Sequence, residues 1–220
     1  MNAPPGARPR LLWTVAFAAA FGWVEAAVVV YLRRLVYPDG FVFPLRPLDA
    51  ELLRVEAARE FATIVMLVAV AALAGRRRWE RFGFFLAGFG TWDLAYYLGL
   101  KVAIGWPAGW ADPDILFLLP VPWVGPVYAP FSIAALMVVS GAAVVKRAAD
   151  GRRLRAGPSC WLLATAGCAV LLWSFMRDQD AGLRGAMPST YPVWALALGD
   201  ALLAAAAWRF LRGNQTVARS

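Results

Sequence analysis

Six apolar runs of membrane-spanning length alternate with short polar segments along the chain. Their bounds are residues 11–32, 49–75, 82–102, 127–145, 159–176 and 192–208. A hydrocarbon core about 30 Å thick needs roughly 20 consecutive apolar residues in a helix. The pattern therefore predicts an all-α integral membrane six-helix bundle over residues 11–211. Residues 1–10 are expected to form a cytoplasmic N-terminal tail, and residues 212–220 a disordered C-terminal tail.

The second run, residues 49–75, differs from the others because it begins with charged residues. Asp49 stands where a helix N-cap is expected, and Glu51 lies in the predicted first turn. A helix of this length extends roughly 39 Å, which exceeds the thickness of the hydrocarbon core. Its first two turns are therefore expected to lie in the headgroup region or beyond it.

Residues 104–130, between the third and fourth runs, combine six prolines and three tryptophans with an apolar centre. Asp112 is expected as a helix N-cap, with Pro113 at the first helical position and Asp114 just behind it. The pattern predicts a short interfacial or re-entrant helix over residues 113–119, with the tryptophans at headgroup level. An ordered loop that covers the bundle is the alternative.

Composition supports a membrane protein and removes several kinds of chemistry. The chain is 61% hydrophobic and only 16% charged, and its 11 tryptophans suit the aromatic belts at membrane surfaces. It contains no histidine, which excludes histidine-based catalysis, haem ligation by histidine and most zinc sites. Cys160 and Cys168 lie in one predicted helix, roughly 12 Å apart along its axis, so a disulfide between them is not expected.

The net charge of +8 is placed mainly in short loops at one side of the predicted membrane. This placement favours a lipid bilayer as the partner and argues against nucleic acid. With the N-terminus inside, most lysines and arginines fall in inner loops and tails, which predicts cytoplasmic termini in a prokaryotic inner membrane. Ala18, Ala19 and Ala20 are typical of a signal cleavage site, but the apolar run continues well past them, so a retained span is expected.

Four carboxylates fall inside the predicted spans, each on a different helix. They are Glu25, Glu60, Asp93 and Asp200. Counted at 1.5 Å per residue, all four lie between the mid-plane and the outer third of a core about 30 Å thick. Glu56 is expected at the outer rim, where Arg59 lies three residues later and can pair with it.

Acids at this depth require an explanation because an ionisable group at the membrane centre costs roughly 2.5–3.5 kcal/mol on insertion scales. Arg59 is the one cation expected at that level, so we expect some of the acids to be neutral. The best hypothesis is a small proton- or cation-coupled transporter or channel-like protein that uses the four acids as its site. No cofactor is expected, although the acids could also hold an oxygen-ligated divalent cation.

Two other functions remain open at this point, and the sequence does not decide whether the chain is an enzyme. The first is a membrane enzyme that acts on a lipid-like substrate from the outer leaflet, with Glu56 and Arg59 at the mouth and Arg59 steering an anionic head. The second is a non-catalytic subunit or assembly factor of a membrane complex. Each acid could also serve packing alone, through a hydrogen bond to a neighbouring helix.

Overall fold

The computed structural model describes residues 6–38 and 40–212, and these residues form seven helices and one two-stranded hairpin. The helices are α1 (Ala7–Val36), α2 (Ala50–Ala74), α3 (Arg78–Ile104), α4 (Tyr128–Ala149), α5 (Pro158–Met176), α6 (Gln179–Leu183) and α7 (Val193–Arg212). The hairpin strands, β1 (Pro113–Phe117) and β2 (Trp123–Pro126), lie between α3 and α4. The disordered tail predicted from residue 212 lies almost wholly outside the described residues.

Five helices are long and apolar enough to cross a membrane: α1, α2, α4, α5 and α7. They indicate a multi-pass membrane protein. Helix α3, with 27 residues, is as long as its neighbours but does not belong to this group. It carries Asp93 within its apolar stretch and Lys101 near its end.

The helices match the predicted runs closely, with differences at their ends. Helix α1 begins four residues before the predicted start and ends four residues beyond the predicted end, so residues 7–10 of the expected N-terminal tail are helical. Helix α2 confirms its predicted N-cap, because the Asp49 carboxylate accepts hydrogen bonds from the backbone N–H of Glu51 and Leu52 at 3.0 and 2.8 Å. These bonds satisfy donors that the first helical turn leaves without intrahelical partners.

The helix predicted over residues 113–119 is wrong, because this segment forms the hairpin instead. Strand β1 pairs antiparallel with β2, with Asp114 opposite Gly125 and Phe117 opposite Trp123. So short a helix is marginal, since the first helical turn is costly to nucleate, and the prolines that follow cannot donate backbone hydrogen bonds. Strand pairing satisfies both segments at once, and their isoleucine, valine, phenylalanine and tryptophan residues favour strands.

A small apolar cluster closes the bundle at the hairpin end. Phe43 and Leu45 from the loop between α1 and α2 pack against Val124 of the hairpin and Ala181 of α6. All four side chains are buried. The hairpin therefore packs against the rest of the fold and covers the helices beneath it.

Glycines allow α1, α3 and α4 to pack backbone against backbone. A methyl group at Gly22 of α1 would collide with the carbonyl oxygen of Trp92, and one at Gly90 of α3 with the carbonyl oxygen of Ala134. At Gly141 of α4, it would lie 2.5 Å from the backbone nitrogen of Ala87. Close approach through small residues is the usual basis of helix association in membranes.

Replacing Gly90 by alanine is expected to lower the free energy of unfolding by about 1–3 kcal/mol, because the added methyl group forces α3 and α4 apart. The matched control is Gly88→Ala in the same helix, where the new methyl group would meet only the Thr14 Cγ2 atom, at 3.4 Å. Thermal unfolding in detergent measures both variants. Equal melting temperatures for the two would contradict the packing described here.

Candidate functional site

A cavity of about 140 Å³ lies among the helices beneath the hairpin. Three of its walls carry a carboxylate: Glu25 on α1, Glu60 on α2 and Asp93 on α3. Arg59 lies beside them and is the one cationic residue of the lining. The rest of the lining is largely aromatic and aliphatic, drawn from α3, α4, α5 and the hairpin. We call this space the acidic cavity.

Arg59 is shared by two carboxylates on different helices. Its Nε and Nη2 groups donate to Glu56 Oε2 at 2.9 and 2.7 Å, within α2. Its Nη1 group donates to Glu25 of α1, which also accepts a hydrogen bond from the Thr63 hydroxyl at 3.3 Å. Glu25 and Glu56 are only 7% and 5% exposed. One guanidinium group thus compensates two buried carboxylates and joins α1 to α2.

Glu60 joins α2 to the hairpin. Both of its carboxylate oxygens accept from the backbone N–H of Leu118, at 3.1 and 2.9 Å. Leu118 follows directly after β1, so its N–H lies beyond the strand pairing and would otherwise have no partner there. The pairing register of the hairpin shifts between Ile115 and Phe117, just before this point.

Asp93 differs from the other acids of the acidic cavity. Within residues 6–38 and 40–212, no side chain or backbone group forms a hydrogen bond or an ion pair with its carboxylate, and the residue lines the cavity. The neighbourhood therefore contains four carboxylates, on Glu25, Glu56, Glu60 and Asp93, and one guanidinium group, with the ion pair of Asp114 and Arg33 next to them. In a poorly solvated interior this excess of negative charge is costly unless a proton or another cation neutralises part of it.

Asp200, the fourth acid predicted for the site, does not line this cavity. It lies on α7, where the Ser132 hydroxyl of α4 donates to its Oδ2 atom at 2.9 Å. Its Oδ1 atom is buried without a hydrogen-bond partner in the part of the chain that the structure describes. The sequence predicts a common depth in the membrane for Asp200 and the three cavity acids. Depth alone does not show which helices are neighbours, so it could not separate Asp200 from the others.

A buried ion pair that the sequence did not indicate holds the hairpin to the helices. Arg33 Nη2 of α1 donates to Asp114 Oδ1 of β1 at 2.9 Å, and the Tyr97 hydroxyl of α3 donates to Asp114 Oδ2 at 3.2 Å. The Arg33 guanidinium also lies 3.9 Å from the ring centroid of Phe41 and 3.8 Å from that of Trp106. Burial raises the pKa of Asp114, and the Arg33 charge and the Tyr97 hydrogen bond act in the opposite direction.

The sequence alone predicts Arg33 at the polar end of a span and Asp114 in the first turn of a helix. Arg33 is 6% exposed and Asp114 is 1% exposed, so the two charges meet away from water. The two residues are 81 positions apart along the chain, so no local pattern connects them. Each is only a charged residue next to an apolar run, and many ordinary loop residues have the same pattern. The pairing depends on the hairpin, which the sequence did not predict.

No three aspartate, glutamate or cysteine side chains among residues 6–38 and 40–212 form a group that could hold a metal ion. Comparison adds no further guide, since no protein-family model, curated protein or solved structure matches the chain. The chemistry of the site therefore has to be argued from its own geometry.

Replacing Arg59 by glutamine is expected to destabilise the protein by about 3 kcal/mol at neutral pH, because Glu25 and Glu56 both lose their counter-charge. Arg54→Gln is the matched control, since Arg54 lies on the same helix with an exposed side chain. Chemical or thermal unfolding in detergent measures both. The double variant Arg59→Gln/Glu25→Gln should recover part of the loss, and a strictly additive result would contradict the pairing.

Replacing Asp114 by asparagine is expected to loosen the hairpin, because a charge-assisted hydrogen bond contributes roughly 1.5–3 kcal/mol. Amide hydrogen exchange over residues 113–126 should become about tenfold faster or more. Asp180→Asn is the control, since its ion pair with Arg184 is long, at 3.5 Å, and exposed. Unchanged exchange in the Asp114 variant would show that the ion pair does not hold the hairpin.

Proposed function

We propose that the protein is a small proton-coupled transporter or channel-like protein, with Asp93 as the residue that binds and releases the proton. The observation that carries this proposal is the Asp93 carboxylate itself, which lines the acidic cavity without a hydrogen bond or ion pair to any described residue. A carboxylate in such a place must be neutralised to be tolerated. A proton is the simplest means, and it can leave again.

The proposal includes a topology of six spans. The sixth is α3, which is long enough to cross a membrane but is not among the five apolar helices named above. No connection between successive long helices contains a helix of membrane-spanning length among the described residues, so each long helix is expected to reverse the direction of the last. This arrangement brings the start of α1 and the end of α2 together, where Arg10 donates to Ala74 and forms an ion pair with Glu80 at 2.6 Å. Because basic residues concentrate at this end, we place it, with both termini, in the cytoplasm of a prokaryotic inner membrane.

Arg59 supplies a way to couple proton binding to a change in structure. When Glu25 takes up a proton, it loses its charge-assisted bond to the guanidinium group, and Arg59 keeps Glu56 as its partner. The bond between α1 and α2 through Glu25 is then weakened. Glu60 offers a second coupling, because its negative charge strengthens the hydrogen bonds that it accepts from the backbone N–H of Leu118 in the hairpin.

The size of the acidic cavity supports a proton, a small ion or a small solute rather than a lipid-like substrate. Pockets that hold drug-sized ligands have volumes of roughly 300–1,000 Å³, and this cavity has about 140 Å³. The hairpin residues Leu116, Phe117 and Trp123 also line it, so the hairpin separates it from the outer side. A membrane enzyme acting on whole lipids would need a wider, laterally open groove at the acids.

The test uses purified protein in sealed vesicles that contain a pH-sensitive dye. With a pH gradient and a membrane potential imposed, the wild type should carry protons inward faster than protein-free vesicles do. Asp93→Asn should reduce this flux to the background, since asparagine cannot exchange a proton. Asp200→Asn is the matched control, because Asp200 also lies within a helix but outside the acidic cavity. The proton flux of this variant should equal that of the wild type.

Two results would contradict the proposal. One is a flux in the Asp93 variant equal to that of the wild type, and the other is an equal loss in the Asp93 and Asp200 variants. Replacing sodium by choline in the same vesicles separates the two charge carriers. A flux that requires sodium and follows its gradient assigns the site to a metal cation rather than to a proton.

A further inference from the structure

A second pocket lies at the opposite end of the bundle from the hairpin and is lined mainly by arginines. Its volume is about 330 Å³. Arg77 at the N-cap of α3 and Arg78 at its first position line one side, and the loop between α4 and α5 contributes Arg152, Arg153 and Arg155. We call this space the basic pocket. Nothing in the proposed proton site uses it, because the two cavities share no residue.

The charge of the basic pocket is largely uncompensated by the protein. Its one acidic residue, Glu80, already forms an ion pair with Arg10 at 2.6 Å. Within residues 6–38 and 40–212, no carboxylate lies within ion-pair distance of four of its guanidinium groups. These groups belong to Arg77, Arg78, Arg152 and Arg153. Several exposed arginines around one concavity without acidic partners favour an anionic ligand.

One wall of the basic pocket is apolar and consists of Trp79, Ala148 and Leu154. Leu154 is buried in a cluster with Val144, Cys160 and Phe210, against which Trp79 packs. The Trp79 indole Nε1 is buried and has no hydrogen-bond partner among the described residues, so one further donor on this wall is unused. Trp161, whose ring centroid lies 6.3 Å from that of Trp79, is 59% exposed. An exposed tryptophan at a helix end is typical of the membrane surface.

We propose that the basic pocket binds a phosphate group, and that its source is the headgroup of an anionic phospholipid in the leaflet facing this end. Guanidinium groups match phosphate oxygens in geometry and charge and bind them with paired hydrogen bonds. Basic pockets at the ends of membrane helices on the cytoplasmic side are suited to such headgroups. The arginines hold the phosphate, and the apolar wall next to Trp79 receives the start of the acyl chains.

The test measures lipid retention by the full-length protein with native mass spectrometry in detergent. The lipids are phosphatidylglycerol, which is anionic, and phosphatidylcholine, which has the same phosphate but no net charge. The variant Arg78→Gln/Arg153→Gln should bind phosphatidylglycerol about 25-fold more weakly than the wild type, at roughly fivefold for each arginine. The wild type should prefer phosphatidylglycerol over phosphatidylcholine.

The matched control is Arg8→Gln/Arg209→Gln, which removes two exposed arginines from the same end but outside the basic pocket. It should bind phosphatidylglycerol as the wild type does. An equal loss in both double variants would mean that diffuse surface charge attracts the lipid, and it would overturn the proposal. Equal retention of the two lipids by the wild type would also overturn it.

Inorganic phosphate separates the two sources of the ligand. If millimolar phosphate displaces phosphatidylglycerol from the wild type and binds with the same dependence on Arg78 and Arg153, free phosphate is the ligand and the lipid assignment is wrong. If the glutamine variant fails to fold, Arg78→Lys/Arg153→Lys takes its place. That variant keeps both charges and should bind phosphatidylglycerol more weakly than the wild type, because an ammonium group lacks the paired donors of guanidinium. Binding equal to that of the wild type would contradict the proposal.

Discussion

One guanidinium group among four carboxylates is the constraint on which the core of this protein depends. Arg59 compensates Glu25 on α1 and Glu56 on α2, and it leaves nothing for Asp93 on α3. In water such an imbalance is harmless, but within a membrane bundle each uncompensated charge is costly. The position of α1 against α2, the attachment of the hairpin through Glu60 and the state of Asp93 all follow from how that charge is balanced.

The sequence predicted the parts of this fold that depend on local signals. Helix-length apolar runs defined six long helices, and Asp49 before a helical pattern indicated a cap that the structure confirms. The hairpin was missed because its two strands are stabilised by pairing with each other and by the contact between Arg33 and Asp114, and neither is visible in a window of a few residues. Residues 113–119 contain a good helix start, yet tertiary pairing overrides that preference.

The candidate site shows the same division between local and long-range information. Charge and depth selected Glu25, Glu60 and Asp93, which line the acidic cavity, and also Asp200, which instead accepts a hydrogen bond from Ser132. Asp200 differs from the three cavity acids in its position around the bundle axis. That position depends on which helices are neighbours. Glycines such as Gly22 and Gly90 set that arrangement for α1, α3 and α4, because only they allow the backbones to approach so closely.

Infrared spectroscopy can detect whether the Asp93 carboxylate exchanges a proton inside the folded protein. Aspartate carboxyl groups labelled with ¹³C separate the aspartate C=O band from that of the glutamates in reconstituted protein. One component of the protonated aspartate band should appear and disappear reversibly with pH, be lost in Asp93→Asn and persist in Asp200→Asn. An identical titrating band in the wild type and in the Asp93 variant would contradict it.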